Sequence, residues 1–233
     1  MRPKVIASLA YPDSSRLPAD GAQRVAAADI VEVRLDAVEG GPEEAVRVCR
    51  TVAEWGRPLL LTPRAAGEGG ERSWDDAARR ATLEAVWATG VDAPYTDVEV
   101  RESPRLLEWL IQSRPEGSEV IASFHDFRRF PGEAELDVLA LEASAKGADR
   151  FKVAVAVDSL DEAGRLACWT RDRSRSQAVI SMALGEAGSL SRVMNGAFGS
   201  WASYGHIDRA TAPGQLAVAE LAPLLDRFYP VDS

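Results

Sequence analysis

The sequence predicts an α/β chain folded as one (β/α)8 barrel domain over residues 1–233. Three observations predict it. Short apolar runs alternate with helix-patterned stretches, giving about eight strand–helix units. Several runs are apolar at nearly every position, as strands covered on both faces are. The length, 233 residues, is what one such barrel fills.

Taken in order, PKVIASLA (3–10) reads as the first strand, because its apolar patch is far too short for a signal sequence. DIVEVRLD (29–36) is the second. PEEAVRVCRTVAEW (42–55) opens with Pro42 at a first helical position, followed by acids. PLLLT (58–62) is a strand, and SWDDAARRATLEAVWATG (73–90) a helix with Ser73 as candidate N-cap and Gly90 at its end. YTDVEV (95–100), EVIASFH (119–125), RFKVAVAV (150–157), QAVISMA (177–183) and, less clearly, GSWASYGH (199–206) supply the remaining strands. The remaining helices fall at 103–113, 132–147, 159–172 and 214–228. An open doubly wound sheet usually shows GxGxxG after its first strand. Here that strand runs into SLAYPDSS instead.

The net charge of −9 argues against nucleic-acid and anionic-membrane partners, both of which need basic surface. Cys49 and Cys168 lack CxxC spacing and read as free thiols of a reducing cytoplasm. No run approaches a membrane span, so a soluble, cytoplasmic protein is expected. There is no HxH, HExxH or Cys/His cluster, so no metal is expected.

A barrel's active site lies at the C-terminal ends of its strands. Those ends offer Ser8; Glu32, Arg34 and Asp36; Arg64 and Glu68; Asp97 and Glu99; Ser123, His125 and Asp126; Lys152; Ser181 and Arg192; Thr211 and Gln215. On the second strand, period two puts Glu32 and Arg34 on one face, into the barrel mouth, and Val33 and Leu35 toward the helices. Each feature alone is commonly structural: an arginine and a carboxylate form a salt bridge, and a strand lysine snorkels to water. Together they differ. Buried charge is costly unless paired, and here charge enters one interior from four strands.

Lys152 stands among valines in RFKVAVAV. A free lysine, with pKa about 10.4, is neutral in roughly one molecule per thousand at neutral pH. Desolvation near Arg34, Arg64 or Arg192 would raise that fraction. A neutral amine attacks a ketone to give a Schiff base, whose iminium acidifies the neighbouring C–H bond. His125 is the candidate base, with Glu32 or another carboxylate to orient it. His206 reads as structural or solvent-facing. The arginines suit an anionic, hydroxylated substrate, and Arg192 a carboxylate.

Six blocks in order resemble the type I 3-dehydroquinate dehydratases: DIVEVRLD (29–36), LTPRAAGEGGE (61–71), TDVEV (96–100), ASFHDF (122–127), GADRFKVAV (147–155) and SMALGEAGSLSRVMNGAFGS with ATAPGQ (181–215). The resemblance implies a (β/α)8 homodimer without cofactor. It implies dehydration of 3-dehydroquinate to 3-dehydroshikimate by syn elimination through a lysine imine. Lys152 resembles the imine lysine, His125 the base, and Glu32 the carboxylate partnering the histidine and substrate hydroxyls. Ser8, Arg34, Arg64, Thr211 and Gln215 match substrate-binding positions, and Arg192 the carboxylate-gripping arginine. Glu68 lies in the loop resembling the lid, and Asp97 and Tyr204 back the site. Thr211 stands where many members have serine, Leu184 where many have methionine, and Tyr204 where many have phenylalanine. Two other readings are a class I aldolase, which would want a phosphate site near strands 7 and 8, and a binding protein that senses a metabolite of the shikimate pathway.

Overall fold

A computed structural model describes residues 1–212 and 214–229. The ATAPGQ segment therefore falls outside it at Pro213. Eight parallel strands form one sheet among the described residues: β1 Lys4–Leu9, β2 Ile30–Arg34, β3 Leu59–Thr62, β4 Tyr95–Glu99, β5 Glu119–Asp126, β6 Arg150–Ala156, β7 Ala178–Leu184 and β8 Ala202–His206. The hydrogen-bonded order is β7-β6-β5-β4-β3-β2-β1-β8. The sheet curls so that β7 and the start of β8 meet, where the isolated bridge Val179–Ser200 replaces a full ladder among the described residues. The result is a nearly closed TIM barrel.

The helices are α1 Gly21–Arg24, α2 Gly41–Ala53, α3 Asp76–Trp87, α4 Pro104–Ser113, α5 Glu133–Lys146, α6 Leu160–Arg173, α7 Ser191–Met194 and α8 Val218–Phe228. Six match the periodic stretches of the sequence. The other two, α1 and α7, are four-residue stubs supplemented by 3-10 turns at Ser14–Arg16 and Asn195–Phe198. Neither stub is long enough to show a helical period. The α3 cap is Asp75, whose carboxylate accepts from Ala78 N at 2.8 Å, rather than the expected Ser73. Ser159 caps α6 through Glu162 N. Gly147, at φ 93°, closes α5 in a left-handed turn that a side chain would strain.

Alternation sorts each strand. On β2, Val31 and Val33 pack outward against the α2 and α8 side, while Ile30, Glu32 and Arg34 face inward. On β6, Phe151, Val153 and Val155 face the helices, and Lys152 and Ala154 the interior. Each fully buried aliphatic side chain contributes about 1.5–3 kcal/mol, so the outward valines hold the register that turns the lysine in. Inside the barrel, Ile6, Ile30, Leu60, Ile121 and Ile180 form an apolar floor. Charged side chains occupy the layer above it. Among the described residues, no helix is long and apolar enough to cross a membrane.

Candidate active site

Strand register assembles the site. Ser8 pairs with Glu32 across β1–β2, Glu99 with Ser123 across β4–β5, and Ser123 with Lys152 across β5–β6. Lys152 Nζ donates to Asp97 Oδ2 at 2.9 Å and lies 4.0 Å from Glu32 Oε1. The nearest charges to the amine are thus carboxylates, not the arginines expected from the sequence. Arg64 lies one step beyond: its guanidinium donates to Asp97 Oδ1 at 2.8 Å, and to Glu99 Oε1 and Ser123 Oγ at 2.7 Å each. Arg79, from α3, donates to the other oxygen of Glu99. The order Lys152–Asp97–Arg64–Glu99–Arg79 alternates in charge, and all five are buried. That alternation is what lets so many charges leave water together. Burial opposes the ionisation of Asp97, but Arg64 and Lys152 overcome it and hold its carboxyl well below the usual range. Burial likewise opposes the charge on Arg64, and Asp97 and Glu99 raise its pKa.

Glu32 does not partner the histidine. It accepts from Ser8 Oγ at 2.5 Å and Thr62 Oγ1 at 2.8 Å. The strand register sets it beside Ser8, out of reach of the β5 histidine's hydrogen bonds. The partner is Glu68, whose Oε2 accepts from His125 N at 2.7 Å and lies 2.9 Å from Nδ1. Glu68 is 4% exposed, in a 3-10 turn within the β3–α3 loop. Burial lifts its carboxyl to about 8, with Glu99 adding to the rise and Arg64 opposing it. Burial, Arg64 and Lys152 push the His125 imidazole well below its ordinary value. At neutral pH both are therefore uncharged. With Nδ1–H donating to Glu68, Nε2 carries the free lone pair.

Arg34 is clamped by Asp36 through two hydrogen bonds of 2.8 and 2.7 Å, and donates to Gly69 O. Asp36 also accepts from Glu71 N, tying the β3–α3 loop to β2. Arg192 donates to Gly214 O at 2.7 Å and Tyr204 O at 3.4 Å. Burial lowers its pKa to about 10, so it stays charged at neutral pH. Thr211 Oγ1 donates toward Gln215 Oε1 at 3.0 Å and lies 3.3 Å from Ser8 Oγ. Lys152 Nζ stands 4.2 Å from the centroid of the Tyr204 ring.

These side chains line one cleft with about 50 Å³ of free interior. It brings together Glu32, Arg34, Arg64, Glu68, His125, Lys152, Leu184, Arg192, Tyr204, Thr211 and Gln215. Two expected residues sit behind it: Asp97 is wholly buried beneath Lys152, and Ser8 supports Glu32 and Thr211. His206 borders the mouth, and its Nδ1 is buried without a partner among the described residues. Cys49 is buried with its thiol pushed up to about 12 by desolvation, far from thiolate chemistry. Thr62 and Arg79 were not singled out from the sequence. Arg79 carried a signal nonetheless: it shares the buried face of α3 with Leu83 and Val86.

Comparison with known proteins agrees with this fold. The sequence model of the type I 3-dehydroquinase family matches residues 5–230. The chain belongs to that family. The 3-dehydroquinate dehydratase of Bacillus licheniformis is 32% identical, over 96% of this chain and 91% of its own. That of Methanosarcina acetivorans is 31% identical, over 85% of each chain. Among solved structures, the Aquifex aeolicus 3-dehydroquinate dehydratase superposes with a TM-score of 0.83 at 26% identity, covering 98% of this chain and all of that one. The Geobacillus kaustophilus enzyme, at 23% identity, shares the fold with a TM-score of 0.89, over 98% of this chain and 93% of its own. In this type I 3-dehydroquinase, then, the barrel itself is the fold of the solved 3-dehydroquinate dehydratases.

Proposed function

We propose that the chain is a 3-dehydroquinate dehydratase that removes water by syn elimination through an imine on Lys152. Residues 1–233 act as one catalytic domain, assembled as a homodimer. The observation that carries the reading is a single cleft holding a buried amine, an uncharged imidazole and a charged, buried Arg192.

Each group then has a task. Arg192 and the adjoining Thr211 and Gln215 hold the substrate carboxylate end by charge-assisted hydrogen bonds. Arg34, Arg64 and Glu32 offer donors and acceptors to the ring hydroxyls, with Ser8 bracing Glu32 from behind. Asp97 and Glu32 keep the lysine aimed while it waits. His125 Nε2 takes a proton from Lys152, and Nζ attacks the keto carbon. His125 delivers that proton to the carbinol oxygen, which leaves as water to give the iminium. The imidazole, neutral again, then removes the neighbouring C–H proton and returns it to the departing hydroxyl. Glu68 holds the imidazole in the tautomer that makes this possible.

Borohydride reduction in the presence of 3-dehydroquinate, followed by peptide mass mapping, tests the reading. A reduced adduct on Lys152 that is absent without substrate supports it. A folded protein that forms no adduct sinks the imine mechanism. Adduct formation only with a phosphorylated ketone would instead favour the aldolase reading.

A further inference from the structure

Tyr204 occupies an unusual position. Its backbone carbonyl accepts from Arg192, and its ring lies under the amine of Lys152. It thus stands between the group proposed to hold the carboxylate and the group proposed to attack the carbonyl. The side chain is 4% exposed and lines the cleft. Yet among the described residues its hydroxyl has no hydrogen-bond partner. Buried hydroxyls almost always find one, so a donor left over in the wall of a site points to a ligand acceptor. Phenylalanine would give the same ring face to the ammonium without leaving a polar atom stranded.

We propose that the Tyr204 hydroxyl is a hydrogen-bond donor to the keto oxygen of the carbonyl that Lys152 attacks. The proposal rests on the imine reading above and adds a residue to it. Burial, with Glu32 and Asp97 close by, raises the phenol well above its ordinary pKa, so it donates without ionising. As the nitrogen lone pair forms the C–N bond, the C=O π pair moves onto oxygen, and the phenol holds that growing negative charge. Two protons of the original ammonium, relayed by His125, end on this oxygen, which leaves as water. The nitrogen keeps the third proton and the positive charge of the iminium. Tyr204 keeps its own proton throughout and is a positioning and polarising group, not an acid.

The test compares wild type with Tyr204→Phe, following the reduced Lys152 adduct by rapid quench with 3-dehydroquinate and borohydride, beside the melting temperature of the free protein. The expected result is imine formation slowed on the order of 100-fold, the size of effect seen when one oxyanion donor is lost. The variant should melt no lower than wild type, since the stranded hydroxyl is gone. Equal rates in the two proteins overturn the proposal. So does a slower variant that has also lost thermal stability, because that marks a packing role. If wild type itself forms no adduct, the imine reading fails first and takes this proposal with it.

Discussion

Lys152 Nζ and Asp97 Oδ2 stand 2.9 Å apart, and both groups are buried. The proposed nucleophile therefore rests in an ion pair that must open before the amine can attack. The two partners are not equally replaceable. Without Lys152, Asp97 keeps Arg64 and Ser123. Without Asp97, two buried cations lose their shared counter-charge. Lys152→Met should abolish adduct and turnover at a stability cost of about 1–3 kcal/mol. Asp97→Ala should cost more, about 3–5 kcal/mol. Urea unfolding of the two variants beside wild type checks the order.

The Glu68–His125 pair predicts a pH profile. His125 is held well below its ordinary pKa by burial, Arg64 and Lys152. The acid limb of kcat/KM should accordingly lie below the ordinary histidine value of about 6.5. A limb at or above that value would mean that the imidazole is not the base, or is not buried during turnover.

Glu68 also predicts a stability profile. Its folded pKa, about 8, stands above an unfolded value near 4.3. The folded state binds that proton more tightly, so the stabilisation is complete below about pH 4.3 and is lost as pH rises through about 8. Glu68→Gln has no proton to lose. Melting curves from pH 4 to 9 should show wild type falling behind the variant as pH rises, and parallel curves would refute the raised pKa.

Arg79 touches nothing in the cleft, yet it should matter for rate. It donates to Pro63 O at 2.8 Å and to Glu99, which in turn holds Arg64. Arg79→Met leaves Glu99 short of a cation and should destabilise by about 3–5 kcal/mol. Arg79→Lys restores the charge but not the planar fork. It should recover stability in part while kcat/KM stays depressed, because Arg64 remains misplaced. Steady-state kinetics on both variants separate the two contributions.

Thr211 sets a milder expectation. Thr211→Ser keeps the hydroxyl between Gln215 and Ser8 and should leave KM nearly unchanged. Thr211→Val removes it and should raise KM about 5- to 10-fold, the worth of one hydrogen bond.

Much of this site could be read from period two alone. Glu32, Arg34 and Lys152 face inward because their neighbours Val31, Val33, Phe151 and Val153 must face the helices, and no other register buries those groups. The Glu68–His125 pair was hidden for a different reason. Glu68 is carried on a loop, and where a loop crosses the barrel mouth depends on tethers such as Asp36 to Glu71 N rather than on any repeat. Carboxylates rather than arginines surround Lys152 for a similar reason. Which inward charges become neighbours depends on strand register around the barrel, and pattern within one strand is silent on that.

The junction of β7 and β8 differs from the other seams of the barrel. Elsewhere neighbouring strands are laced by backbone ladders, which any sequence can make. Here Ser200 Oγ accepts from Ser181 N, and the Asn195 amide donates to Ser181 O and Oγ. The barrel is a belt whose buckle is one backbone bridge, Val179–Ser200, fastened by side chains. Substitutions that the rest of the belt would absorb can undo it here. Arg192, three residues from Asn195, is mounted on the buckle itself, so the proposed grip on the substrate and the closure of the barrel are inherited together.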